Sequence, residues 1–235
     1  MFGAVIGDII GSPYRDQKID TEAEDFRLIL PQSDFTEISV MTIAVAEALM
    51  HSISSQGNIP VELDFTKNLY YYMKKFGRKF RRVHYGRKFH AWINVKKSFP
   101  YESLSNGAVL RISPIAWAFN NLEDVERFAQ AGARVTVKTD ETINFARVMA
   151  GMVFLARMKR DKDEIKNYFE EQTGLNFSAT IEDLRPNFEF ITKCPESMTA
   201  ALAAFLENEN FEGAIRSALS LGGDTTATAS MAGDL

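Results

Sequence analysis

The side chains best placed to do chemistry in this chain lie in one basic, aromatic stretch and a few glycine-punctuated corners. Residues 74–97 hold Lys74, Lys75, Arg78, Lys79, Arg81, Arg82, Arg87, Lys88, Lys96 and Lys97, with no Asp or Glu. Phe76, Phe80, Tyr85, Phe89 and Trp92 are interleaved with them. Cationic heads beside aromatic faces can hold phosphate and stack a base. The same stretch can equally be a solvated helix face with its aromatics buried behind it. Leu221-Gly222-Gly223-Asp224-Thr225-Thr226-Ala227 near one end, and Asn106-Gly107 mid-chain, permit tight turns and close backbone approach. Such glycines either shape a nucleotide cleft or only maintain loop geometry. Asp8 lies in an apolar segment, as a buried cap or hydrogen-bond anchor or as a ligand contact. His51, His84 and His90 share no metal-ligand spacing and read as structural or surface residues. Cys194, before Pro195, has no nearby His base and reads as a buried structural thiol.

The elements that must position these residues are mostly helical. Apolar residues recur at three and four over 38–52, where Met41, Ala44, Val45, Ala48 and Leu49 share a face. Segments 62–76, 122–133, 141–158, 162–171, 196–208 and 211–221 follow the same period. Asp140-Glu141, Asp163-Glu164 and Asn210 are helix-start signals. Strand signals are few, and no linker or repeat divides the chain. With 235 residues, 46% of them hydrophobic, the expectation is one compact all-α domain over 1–235. Ten of the 27 basic residues fall in 74–97, so the remainder holds 17 against 31 acidic residues, a balance of −14. The net charge of −4 excludes a polyanion binder by bulk charge alone and predicts a strong dipole. A lone cysteine excludes an internal disulfide framework and suits a reducing compartment. No apolar run reaches membrane-spanning length, so a soluble cytoplasmic protein with no membrane partner is expected.

Four ordered segments resemble the ADP-ribosylglycohydrolase family, which includes the enzymes that reactivate dinitrogenase reductase. Gly3-Ala4-Val5-Ile6-Gly7-Asp8-Ile9-Ile10-Gly11-Ser12-Pro13-Tyr14 is similar to that family's opening helix and turn. Thr36 to Leu49 is similar to its T-D-D-T-x-M-T helix. Tyr101-Glu102-Ser103-Leu104-Ser105-Asn106-Gly107-Ala108-Val109-Leu110-Arg111-Ile112-Ser113-Pro114 is similar to its G-N-G-S-A-M-R-x-S-P loop. Ala214-Ile215-Arg216 through Gly223-Asp224 is similar to its A-I-R-x-A-x-x-x-G-G-D-S-D-T end. The resemblance implies an orthogonal all-α bundle with a central cleft and a pair of Mg²⁺ ions. Those ions would orient ribose hydroxyls and position a water. It also implies ligand-binding roles for Asp8, Asn106, Gly107, Arg111, Ser113, Gly222 and Gly223.

The implied metal corners are depleted. Thr36 keeps the first ligand, Glu37 replaces an Asp, and Ile38 replaces the second Asp with a side chain that binds no metal. Asp224 survives, whereas Thr226 and Ala227 replace the following Asp and Thr. The implied ligands therefore reduce to Thr36, Glu37 and Asp224, enough for at most one weak Mg²⁺ and no tightly bound cofactor. Arg15 follows Tyr14 where the family has Glu, Thr136-Val137-Lys138-Thr139 lacks the family's histidines, and Ala108 replaces a ligand-facing Ser. The expectation is a catalytically degenerate member that keeps a cleft for an ADP-ribose-like nucleotide, an ADP-ribosylated protein or a protein partner. Two alternatives stay open. One is an active hydrolase with at most one Mg²⁺ and Glu37 or Asp224 as catalytic base. The other is an interaction protein docking an acidic protein, or with less support a nucleic acid, through residues 74–97. After Asp224 the chain reads as the beginning of a helix, shorter than the family's usual C-terminal helical stretch.

Overall fold

The computed structural model describes residues 1–15, 26–53, 60–190 and 192–235. In chain order the helices are α1 (Phe2–Gly11), α2 (Glu37–Met50), α3 (Glu62–Lys79), α4 (Arg87–Asn94), α5 (Gly107–Leu110), α6 (Ser113–Ala118), α7 (Leu122–Arg134), α8 (Asp140–Arg157), α9 (Lys162–Thr173), α10 (Ile181–Leu184), α11 (Cys194–Leu206), α12 (Phe211–Ser220) and α13 (Thr225–Asp234). Short 3-10 turns cover Ser12–Tyr14 and Arg185–Asn187. Among the described residues no sheet forms, and extended pairing is limited to the isolated bridges Tyr101–Val137 and Ser105–Lys193. The fold is all-α.

The seven segments with helical period correspond to α2, α3, α7, α8, α9, α11 and α12, with ends shifted by a few residues. Those ends follow from capping chemistry. Asn121 and Asn210 accept from the backbone N–H groups of Asp124 and Gly213, at 2.8 and 2.9 Å. The α9 start is set by Asp161, just before the expected acidic signal Asp163-Glu164, in a reciprocal capping box with Glu164. Gly174 then stops α9 with a φ of 71°. The core gathers around α8, which packs against α5, α6, α7 and α9. Phe65, Phe128 and Phe169 are fully buried there or close by, and Phe119 lies 4.4 Å from the Phe128 ring. Burying each such ring stabilises the fold by about 1.5–3 kcal/mol.

One helix pair has no large apolar seam. Helix α1 packs most extensively against α13, and its facing stripe is Gly3, Gly7 and Gly11. A methyl group at Gly3 would stand 1.7 Å from the Gly233 carbonyl oxygen, at Gly7 2.2 Å from that of Ala229, and at Gly11 2.6 Å from that of Thr225. The two backbones therefore touch directly and run antiparallel. Both ends of the pair are pinned. The Met1 ammonium and the Ser113 hydroxyl each donate to Asp234 Oδ1 at 2.7 Å, and the Thr225 hydroxyl donates to the Gly11 carbonyl at 2.8 Å. This contact carries Asp8, the turn after α1 and the α13 N-terminus into one corner.

The basic stretch falls on the end of α3, the following turn, α4 and the residues after it. Its aromatics pack inward, with Trp92 3% exposed. Lys74 alone among the ten cations is buried, donating to the Val95 carbonyl at 2.6 Å over the Tyr70 and Trp92 rings. The other nine are exposed, the pattern of a solvated face.

Candidate functional site

Asp8 organises the corner from beneath. Its side chain is fully buried. One carboxylate oxygen accepts from the Thr36 hydroxyl at 2.5 Å. The other accepts from the Thr36 and Ser39 backbone N–H groups at 2.9 and 3.1 Å, and from the Ser39 hydroxyl at 2.5 Å. Burial pushes the carboxyl of Asp8 above its ordinary value, and the bonds from Ser39 and Thr36 pull the other way. Asp8 thus caps α2 from another helix, supporting the first-turn donors that a helix cannot satisfy itself. The Thr36 hydroxyl is engaged on both sides, since it also accepts from the Ile38 N–H at 3.2 Å. Of the two roles open for Asp8, the contacts are those of an anchor.

Above this support Glu37 and Asp224 face one cation. Arg15, just past the turn that follows α1, sets Nη1 3.5 Å from Glu37 Oε1 and Nε 3.4 Å from Asp224 Oδ1. Its guanidinium also lies 5.4 Å from the Phe190 ring centroid. Asp224 Oδ1 accepts the Thr226 hydroxyl at 2.6 Å. Glu37 Oε2 is buried without a hydrogen-bond partner among the described residues. Desolvation raises the Glu37 carboxyl above the usual range, with Arg15 opposing and Asp8 and Asp224 adding to the rise. Ile38 is 4% exposed, and Ala227 is fully buried.

Beside the corner opens a pocket of about 460 Å³. Arg15, Glu37, Ile38 and Asp224 line it, and the loop before and through α5 brings Asn106, Gly107, Ala108 and Arg111 to its wall. Tyr85, Phe89 and Tyr101 supply aromatic faces. Arg111 is 4% exposed, donating to the Gly107 carbonyl at 3.1 Å and to the Thr136 hydroxyl at 2.7 Å. Burial lowers its guanidinium to about 10, and its Nε lacks a partner among the described residues. The Tyr85 hydroxyl is likewise buried and, among the described residues, unpartnered, raised by burial and by Glu37. Glu37 Oε2, Tyr85 Oη and Arg111 Nε therefore form a set of unused polar atoms around one pocket.

The remaining expected residues are placed differently. Asn106 lines the pocket, but its amide nitrogen donates to Ser197 at 3.1 Å. Ser113 is buried and engaged with Asp234, away from this pocket. Gly222 and Gly223 adopt φ values of 72° and 65° in the turn that launches α13. A methyl group at Gly223 would sit 2.6 Å from the Glu189 carbonyl oxygen, so this glycine serves loop geometry. His84 lines the pocket, His51 stacks on Tyr72 at 5.1 Å, and His90 faces the Asn94 amide. Cys194 is 1% exposed, and burial pushes its thiol up to about 12. Sequence reasoning registered Arg15 as a departure and missed its contacts. The signal available was charge balance, because two carboxylates deprived of a metal require another cation.

The donor set here does not match a pair of Mg²⁺ ions, each of which demands several hard oxygens in near-octahedral array. Two carboxylates share a guanidinium, the Thr36 hydroxyl is committed to Asp8, and Ile38 offers an apolar wall. Among the described residues no three His, Cys, Asp or Glu side chains cluster as metal ligands.

Comparison with known proteins gives the architecture its context. No curated protein matches the chain. A solved structure described as an "ADP-ribosylglycohydrolase-related protein complex" is similar over 100% of this chain and 83% of its own, with a TM-score of 0.71 at 20% identity. That similarity establishes the fold. The family model described as ADP-ribosylglycohydrolase matches residues 1–235. With the whole length matched, the chain belongs to the ADP-ribosylglycohydrolase family.

Proposed function

We propose that this chain is a catalytically degenerate member of its family that binds an ADP-ribose-like nucleotide or an ADP-ribosylated protein in the 460 Å³ pocket. The observation that carries this reading is the state of the surviving oxygen donors. Thr36 is bonded to Asp8, Asp224 receives Thr226, and the buried Ile38 offers no oxygen at the position where the family resemblance implies an anion. Aromatic faces from Phe89, Tyr85 and Tyr101 suit a base or ribose, and the buried Arg111 guanidinium suits a phosphate oxygen. No tightly held cofactor belongs to this reading, and at most one loosely held Mg²⁺. The lone cysteine fits a cytoplasmic setting. Protein carrying ADP-ribosyl-arginine, incubated with the chain with and without Mg²⁺, tests it. The expected outcome is no metal-dependent release of ADP-ribose, and clear turnover would defeat it.

One observation favours a second reading. Glu37 keeps a buried oxygen without a partner among the described residues, lines the pocket and has a raised carboxyl, the profile of a general base. Were the chain an active hydrolase, Glu37→Gln would abolish measured release, whereas equal release from both proteins would remove Glu37 from that role.

A further inference from the structure

Arg15 stands in the middle of the corner that the family resemblance assigns to metal. It approaches the Glu37 and Asp224 carboxylates at 3.5 and 3.4 Å through two different nitrogens. Among the described residues no other Lys, Arg or His lies within 4.0 Å of either carboxylate. The separations are ion-pair distances, longer than good N–H···O hydrogen bonds, so charge dominates over directed bonding. The Phe190 face holds the guanidinium from a third direction. The side chain departs from a short turn containing Pro13, and the neighbouring Tyr14 hydroxyl donates to the Arg27 carbonyl. Its root is therefore fixed where α1 docks on α13.

The electrostatic need is specific. Glu37, Asp224 and the deeper Asp8 place three acidic groups in one partly desolvated corner. A bound divalent ion would relieve this. So does a covalently attached cation, which cannot dissociate or be removed by a chelator. We propose that Arg15 is a tethered replacement for the metal: its guanidinium neutralises the two surviving carboxylates and excludes divalent cations from the corner. The charge state of the cleft is then independent of Mg²⁺. This holds whether or not the pocket takes a nucleotide.

Mn²⁺ is the probe. Full-length wild type, Arg15→Gln and the double variant Arg15→Gln/Glu37→Gln are titrated with MnCl₂ at constant ionic strength. Free Mn²⁺ is followed by electron paramagnetic resonance and the unfolding midpoint by heating. Wild type is expected to show a midpoint that ignores Mn²⁺. Arg15→Gln is expected to unfold at lower temperature without metal, to take up one Mn²⁺ about tenfold or more tightly than wild type, and to regain its midpoint as Mn²⁺ binds. The double variant, relieved of one anion as well as the cation, is expected to recover stability and lose the Mn²⁺ response. Wild type binding Mn²⁺ as tightly as Arg15→Gln overturns the proposal, as does an Arg15→Gln protein with no gain in Mn²⁺ affinity. If Arg15→Gln fails to fold, the double variant decides: recovered folding supports charge compensation, and failure of both variants overturns it.

Discussion

Four hydrogen bonds converge on the Asp8 carboxylate, two from each of Thr36 and Ser39. An amide there would present an N–H₂ group to at least one donor. Asp8→Asn should therefore cost about 2–3 kcal/mol, read from denaturant unfolding, the scale for a buried charged acceptor made unsatisfied. A loss under about 0.5 kcal/mol would mean that Asp8 is not the anchor of α2. Cys194 gives a pH prediction. Burial raises its thiol from 9 to about 12, so the native state prefers the protonated form. Its contribution to stability is complete below the unfolded value near 9 and disappears as pH rises toward 12. At pH 8 an alkylating reagent should label Cys194 slowly in buffer and quickly in urea. Equal rates would contradict the buried placement. At this scale the sequence made Thr36, Glu37 and Asp224 visible because they sit in recognisable segments. Arg15 was visible only as an exception, since its partners lie 22 and 209 positions away.

Helices with a large apolar stripe were legible, and α2, α3, α7, α8, α9, α11 and α12 lie where the 3.6-residue period puts them. The α1–α13 pair had no such stripe. Its contact is glycine against backbone, which carries no hydrophobic period, and only the family resemblance pointed to α1. Helices α5, α6 and α10 are four to six residues long, too short for any period to register. The glycine contact makes a sharp comparison possible. Gly7→Ala would force a methyl group to 2.2 Å from the Ala229 carbonyl oxygen, and backbone cannot yield as a side-chain tip can. It should destabilise by about 3 kcal/mol, the upper range for overpacking. Gly107→Ala meets nothing within 4 Å and should change stability by less than about 0.5 kcal/mol. Thermal or chemical unfolding of both variants checks the pair, and similar losses would argue against direct backbone contact.

Across the whole molecule, charge is segregated. Nine exposed cations of residues 74–97 sit on a chain whose net charge is −4. Lys79, Arg81 and Arg82 line a groove of about 940 Å³ that shares Arg15, Glu37 and His84 with the 460 Å³ pocket. Such a wall can steer an acidic protein segment toward the pocket. At pH 7 and low ionic strength the chain should be retained on a cation-exchange resin despite its pI near 5.5, and Lys79→Glu/Arg82→Glu should pass through. Passage of the wild type would mean that the cations do not act as one face. The central claim is that the family's pocket persists while its metal corner has been replaced. Calorimetric titration of ADP-ribose into the full-length chain, first in EDTA and then in Mg²⁺, tests it most directly. The account predicts saturable binding with the same affinity in both. Binding that appears only with Mg²⁺, or no binding in either, would contradict it.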